Sequence, residues 1–171
     1  MKTLIKMMIE YNRWANQRLV EDCRAVPNEE LQSSFGNEQL SVWETLSRAL
    51  WNDGVWLARL QGDRQELPLA EARSQDLEDF AERRQFLDDQ LMDFADSVTE
   101  IKLTQSIVNR TGKEVPTLEQ PLGMALIHLS HLQSHHRSQI QTYLAIRQQA
   151  SRDIGFMTFQ KSTGLGMKLP S

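Results

Sequence analysis

The sequence predicts an all-α protein, a four-helix bundle with long crossover connections, on three observations. Four segments, at about residues 3–25, 39–61, 75–99 and 120–149, repeat their apolar residues at the 3.6-residue helical period. The links at 62–74 and 100–119 hold 13 and 20 residues, more than a short helix–helix turn needs. Four one-sided helices have four apolar stripes to bury, and packing them on one another does so most simply.

Each element carries its own signals. In the first helix Leu4, Ile5, Met8, Ile9, Ala15, Leu19 and Cys23 share a face, and Pro27 with Asn28 stops it. In the second, Ser41 stands as N-cap with Glu44 three residues on, the spacing of a capping box. Its stripe is Val42, Trp43, Leu46, Ala49, Leu50, Leu57 and Leu60; Gly54 weakens it locally and Gly62 ends it. Leu77, Phe80, Ala81, Leu87, Leu91, Phe94, Ala95 and Val98 line up in the third helix. Leu122, Ala125, Leu126, Leu129, Leu132, Ile140, Tyr143 and Leu144 do so in the fourth. Within the longer link, Ile101-Lys102-Leu103, Ile107-Val108, the turn-like Asn109-Arg110-Thr111-Gly112 and Val115-Pro116 read as a small β-hairpin. The expected organisation is a bundle over 1–150 and a tail over 151–171. Phe156, Met157 and Phe159 give that tail the means to pack back on the bundle.

Composition narrows the function classes. The net charge of −4 and the absence of a basic patch give no electrostatic support to nucleic-acid binding. No run of roughly 18 apolar residues is long enough to span a membrane. Glu10 and Asn12 interrupt any signal-peptide core at the N-terminus, and the single cysteine cannot form an internal disulfide. A cytoplasmic protein is the expectation. Cys23 lies on the apolar stripe, so it reads as core and not as a nucleophile.

Polar residues inside the apolar arcs carry the functional signal, because a buried polar group without a partner costs about 1–3 kcal/mol. Asn12 and Asn16 intrude on the first stripe, Asp53 on the second, Arg84 and Asp88 on the third, and His136 on the fourth. The simpler account is that they form buried hydrogen bonds that fix helix register. The functional account is that they converge on one interior site, as cofactor sites in bundles do. All 4 histidines lie on the last helix. His128, His131 and His135 share a flank, where the i,i+4 spacing of His131 and His135 could chelate a divalent metal. His136 points instead into the core.

Three stretches together resemble the DinB/YfiT-like metalloprotein family. Tyr11-Asn12-Arg13-Trp14-Ala15-Asn16-Gln17-Arg18-Leu19 is similar to the family's opening-helix pattern Y-N-x-W-A-N-x-R-L. Thr45-Leu46-Ser47-Arg48-Ala49-Leu50, followed by Asp53, Trp56, Leu57 and Leu60, is similar to its second-helix pattern. His128-Leu129-Ser130-His131-Leu132-Gln133-Ser134-His135-His136-Arg137-Ser138-Gln139 is similar to H-L-F-N-H-Q-T-H-H-R-G-Q. The resemblance implies a crossover bundle, often a homodimer. It also implies a metal held by three histidines, one from helix two and two at i,i+4 on the last helix. Some relatives are thiol-dependent transferases or isomerases.

By position those three ligands fall on Arg48, Leu132 and His136. A guanidinium stays protonated and a leucine has no lone pair, so only His136 can donate to a metal. The expectation is therefore a family protein with a degenerate metal site. It would bind a small molecule or anion in the interior, at a pocket of Asn12, Asn16, Arg48, Asp53, Leu132 and His136, with no cofactor. One alternative is a zinc- or nickel-dependent thiol S-transferase or isomerase. Its ligands would be His128, His131 and His135, or His136 with acidic residues. The other is a dimeric interaction protein with an apolar face built on Trp43, Trp51, Trp56 and the Met-rich first helix. No membrane or nucleic-acid partner is expected.

Overall fold

The structure, a computed structural model, describes residues 1–34, 40–63, 73–109 and 118–167. Four long helices form the bundle: α1 (Lys2–Arg24), α3 (Val42–Gln61), α4 (Leu77–Ser97) and α6 (Leu122–Ile146). Between them lie the short α2 (Asn28–Gln32) and α5 (Glu100–Thr104) and the strands β1 (Ser106–Asn109) and β2 (Leu118–Pro121). Helix α7 (Phe156–Thr163) follows the bundle.

The start of α3 is locally specified. Ser41 Oγ accepts from the Glu44 backbone N–H at 3.1 Å and Glu44 Oε2 accepts from the Ser41 N–H at 2.8 Å, so two orphan donors are satisfied. At its end Gly62 takes φ +84°, a left-handed conformation that a side chain would strain. Helix α4 opens on Asp76, whose carboxylate accepts from the backbone of Glu78 and Asp79.

Helix directions follow from the side chains that meet. Asn16 meets Asp88 and Arg24 meets Glu78, so α1 and α4 are antiparallel. Asn52 meets His136 and Trp56 meets His128, so α3 and α6 are antiparallel. Ile5 lies by Gly123 and Asn12 by Arg137, so α1 and α6 run parallel. Trp43 packs on Phe80 and Asp53 bonds Arg84, so α3 and α4 also run parallel. In chain order the helices run up, down, down, up. Helix α1 packs on α4 and α6, and α3 takes the diagonal position. The end of α3 and the start of α4 lie at opposite ends of the bundle, which makes their connection a crossover. The core comes from all four stripes, with Leu46, Phe80, Leu91, Leu126, Leu129 and Ile140 among its buried members.

Three expectations change in detail. Leu4 is 62% exposed because it sits on the flank of the α1 stripe, about 100° from Ile5. Ile101–Leu103 is helical, not a strand: Thr99 caps α5 by accepting from the Lys102 N–H. The hairpin is built from β1 and β2, with Ile107 opposite Gln120 and Val108 opposite Glu119. Arg110-Thr111-Gly112 and Val115-Pro116 lie outside the described residues. In the tail Phe159 is 1% exposed and meets Tyr11 and Trp14 edge-on at 5.7 and 5.6 Å, and Phe156 meets Tyr11 edge-on at 5.1 Å from a more exposed position, while Met157 remains exposed. Asp22 fastens the same segment by accepting from the Arg152 N–H at 2.8 Å.

Candidate functional site

The polar residues that interrupt the stripes meet in the bundle's interior. Helix α1 supplies Asn12 and Asn16, α3 Asn52 and Asp53, α4 Arg84 and Asp88, and α6 Gln133, His136 and Arg137. The Arg84 guanidinium donates to Asp53 Oδ2 at 2.6 Å and to Asp88 Oδ1 at 2.8 Å. Gln133 Nε2 donates to the same Asp53 oxygen at 2.7 Å, and Asn16 Nδ2 to Asp88 Oδ1 at 3.1 Å. Arg137 donates to Asn16 Oδ1 at 3.0 Å, to Asn12 Oδ1 at 2.6 Å and to Ser134 Oγ at 3.2 Å. Its guanidinium carbon lies 5.3 Å from the Tyr11 ring centroid, and the Tyr11 hydroxyl donates to the Ile154 carbonyl. One network therefore ties all four helices together and reaches the tail.

Two buried carboxylates and two buried guanidiniums balance in charge. Burial pushes the Asp53 and Asp88 carboxyls up, against the pull of Arg84. Burial also opposes the Arg84 charge, but Asp88 and Asp53 outweigh it and raise that group. Arg137 is lowered by burial, with partial recovery from Tyr11, yet a guanidinium stays protonated. The His136 imidazole is lowered below its ordinary value, chiefly by burial. His135 and Arg48 add to that lowering, and Gln139 opposes it.

Among the described residues, five buried side-chain polar atoms make no hydrogen bond of normal geometry: Asp53 Oδ1, Ser74 Oγ, Arg84 Nε, Gln133 Oε1 and His136 Nδ1. Of these residues Asp53, Arg84, Gln133 and His136, but not Ser74, line one pocket of about 20 Å³, walled also by Leu46, Ala49, Phe80 and Ile140. That volume admits one or two waters, or one small polar group.

Of the residues singled out from the sequence, Asn16, Asp53, Arg84 and His136 line this pocket. Asn12 lines a smaller neighbouring space with Asp88 and Gln133. Arg48 is exposed and Leu132 packs, half-buried, against the apolar core, so neither lines the pocket. His128, His131 and His135 are exposed; His128 rests 4.9 Å from Trp56, and His135 lies 5.7 Å from His136. Among the described residues no three His, Cys, Asp or Glu side chains form a group able to hold a metal. Trp56 is buried, and Trp43 and Trp51 are half-buried.

Gln133, Arg137 and Asn52 are the residues that sequence reasoning missed. Gln133 lies about 40° from the centre of the α6 apolar arc, which is a legible signal once long polar side chains are allowed inside, whereas Arg137, about 80° off, falls on its edge. Asn52 lies about 100° off the centre of its helix's arc, so periodicity gives no sign of it.

A three-histidine metal does not fit these residues. At the positions the family resemblance assigns, Arg48 and Leu132 offer no donor, and His136 Nε2 already accepts from Asn52 Nδ2 at 3.0 Å.

The DinB family model matches residues 1–150. The fold is similar to a DinB-like protein from Bacillus cereus, with 14% identity and a TM-score of 0.64 over 84% of this chain and 90% of that one. It is also similar to YfiT from Bacillus subtilis, described as a probable metal-dependent hydrolase with an unusual four-helix bundle topology. There the identity is 11% and the TM-score 0.67, over 84% of this chain and 87% of that one. No curated protein gives a significant match.

Proposed function

This chain belongs to the DinB family, and from that premise we propose that it is a small-molecule-binding member whose chemistry does not pass through a three-histidine metal. The carrying observation is one small interior pocket lined by Asn16, Asp53, Arg84, Gln133 and Arg137 together with His136, the single retained histidine. A small pocket with a few charged and polar residues among apolar walls suits the polar end of a ligand. Arg48 stands one helical turn before Asn52, close enough for its charge to act on His136. It supplies a positive rim for an anionic part of the same ligand. The pocket is too small for a whole metabolite, so the ligand inserts one group and rests its remainder on the rim.

The description of the YfiT neighbour as a probable metal-dependent hydrolase suggests a metal here as well, but the replaced positions argue against its ligand set. The deciding experiment is metal analysis after dialysis with zinc and nickel, run on the native chain and on Arg48→His/Leu132→His. The expected result is no stoichiometric metal in the native chain and about one equivalent in the double variant. A tight equivalent in the native chain that disappears on His131→Ala or His135→Ala would sink the proposal and favour a metal enzyme. A thermal-shift screen of anionic metabolites and thiols tests the binding half. Stabilisation that is lost in Arg48→Ala is the expected outcome, and the absence of any hit would reject it.

A further inference from the structure

Helix α7 is a two-state element. With 8 residues it is too short to hold its form alone in water, so it is helical because it packs on α1. Docking and folding of the tail are therefore one event, as in the least stable cooperative units of a fold. Its fastenings fall into two groups. Near the end of α1, the buried Asp22 carboxylate accepts from the Arg152 N–H at 2.8 Å and pairs with the Arg152 guanidinium at 3.0 Å. About 16 Å back along the helix, the second group converges on Tyr11. Phe156 and Phe159 meet its ring edge-on at 5.1 and 5.7 Å, and its hydroxyl donates to the Ile154 carbonyl at 3.0 Å.

Tyr11 has a second neighbour on its inner side. The Arg137 guanidinium carbon stands 5.3 Å from the ring centroid. Arg137 is 4% exposed, and its hydrogen-bond partners Asn12 Oδ1, Asn16 Oδ1 and Ser134 Oγ are all neutral. A buried cation held by neutral groups depends on whatever keeps water from it, and here the Tyr11 ring does so and adds a cation–π contact. Arg137 and Asn16 both line the interior pocket. Resting on the reading of that pocket as a ligand site, we propose that the tail is a latch on it. Docked, α7 holds Tyr11 against Arg137 and keeps that side chain on the pocket wall. Released, α7 frees the Tyr11 ring, and Arg137 turns toward water. By linkage, a ligand that uses the Arg137 wall tightens the tail, and whatever draws the tail away weakens the ligand.

Arg152→Ala loosens the tail at Asp22, away from Tyr11, so an effect on Arg137 has to travel through the tail. The full chain is treated with phenylglyoxal, which modifies accessible arginines, and the modified sites are read by peptide mass spectrometry. Hydrogen exchange of the tail reports its release. Arg84, 5% exposed and bonded to Asp53 and Asp88, is the internal reference. Arg137 is expected to react about tenfold faster in Arg152→Ala, with Arg84 unchanged. Phe159→Leu, which takes the ring off Tyr11 and keeps an apolar side chain, is expected to do the same. An unchanged Arg137 beside a faster-exchanging tail would overturn the latch. Equal acceleration at Arg84 and Arg137 would overturn it as well, since that is an opening of the whole bundle. A tail that stays protected in both variants would show that α7 is no two-state element and would reject the idea. No ligand enters this readout, so the pocket reading fails separately, by giving no hit in the thermal-shift screen.

Discussion

Arg84 is the residue on which the interior depends. It holds Asp53 from α3 and Asp88 from its own helix, and all three side chains are almost fully buried. Removing one partner of such a pair leaves an uncompensated charge, at a cost of about 3–5 kcal/mol. Replacing Asp53 as well removes one of the two carboxylates that the loss of Arg84 strands, and leaves Asp88 with the Asn16 amide. Arg84→Met alone is therefore expected to destabilise the chain by about that amount, and Asp53→Leu/Arg84→Met by clearly less than the sum of its parts. Urea unfolding of the single and double variants measures this; strict additivity would refute the coupling. Cys23 makes a second prediction. It is wholly buried, and burial next to Asp22 pushes its thiol up to about 12. A thiol reagent at pH 8 should leave the native chain unlabelled and modify it only in denaturant; rapid native labelling would show that α1 is less tightly packed than described. At this scale the sequence exposes Asn12, Asn16, Asp53, Arg84, Asp88 and His136, because each breaks an apolar period. Asn52 stays hidden because its partner, and not its period, draws it inward.

Helices α1 and α4 meet along a seam of opposite charges. Lys6 pairs with Asp96, Arg13 with Asp89 and Arg24 with Glu78, at successive heights of the antiparallel pair. These groups are exposed, so the seam sets the register of the two helices more than it stabilises them. The Arg24 hydrogen bond holds the Glu78 carboxyl below its ordinary value. A carboxyl lowered on folding adds stability above its unfolded pKa and loses it as pH falls through the folded one. Glu78→Gln should accordingly cost a little at pH 7 and at low salt, and nothing at pH 3 or in molar salt. Melting curves at the two pH values check the sign, and an effect that grew on acidification would contradict it. The bounds of α1, α3, α4 and α6 were legible from caps, glycine and period. The α5 turn was not: Ile101-Lys102-Leu103 is too short to reveal a period, and the Thr99 cap decides its conformation.

Across the whole molecule, the tail binds the outside of α1 to the network within it. Phe159 packs on Tyr11 and Trp14, and Tyr11 in turn faces Arg137. Phe159→Ala should cost about 3–5 kcal/mol by removing a buried ring. It should also shift the NMR signals of Arg137 and Asn12, whereas a tail that merely covers the surface would leave them unmoved. Link lengths made crossovers legible, but not which helices would be diagonal, since an apolar stripe does not name its partner. That arrangement has a consequence for synthesis. As the chain leaves the ribosome, α1 emerges first, yet the two helices it packs against, α4 and α6, come third and last among the four. Its apolar face has to wait, uncovered, for most of translation, so a nascent chain stalled after α3 is expected to be a client for chaperones and not a half-built bundle.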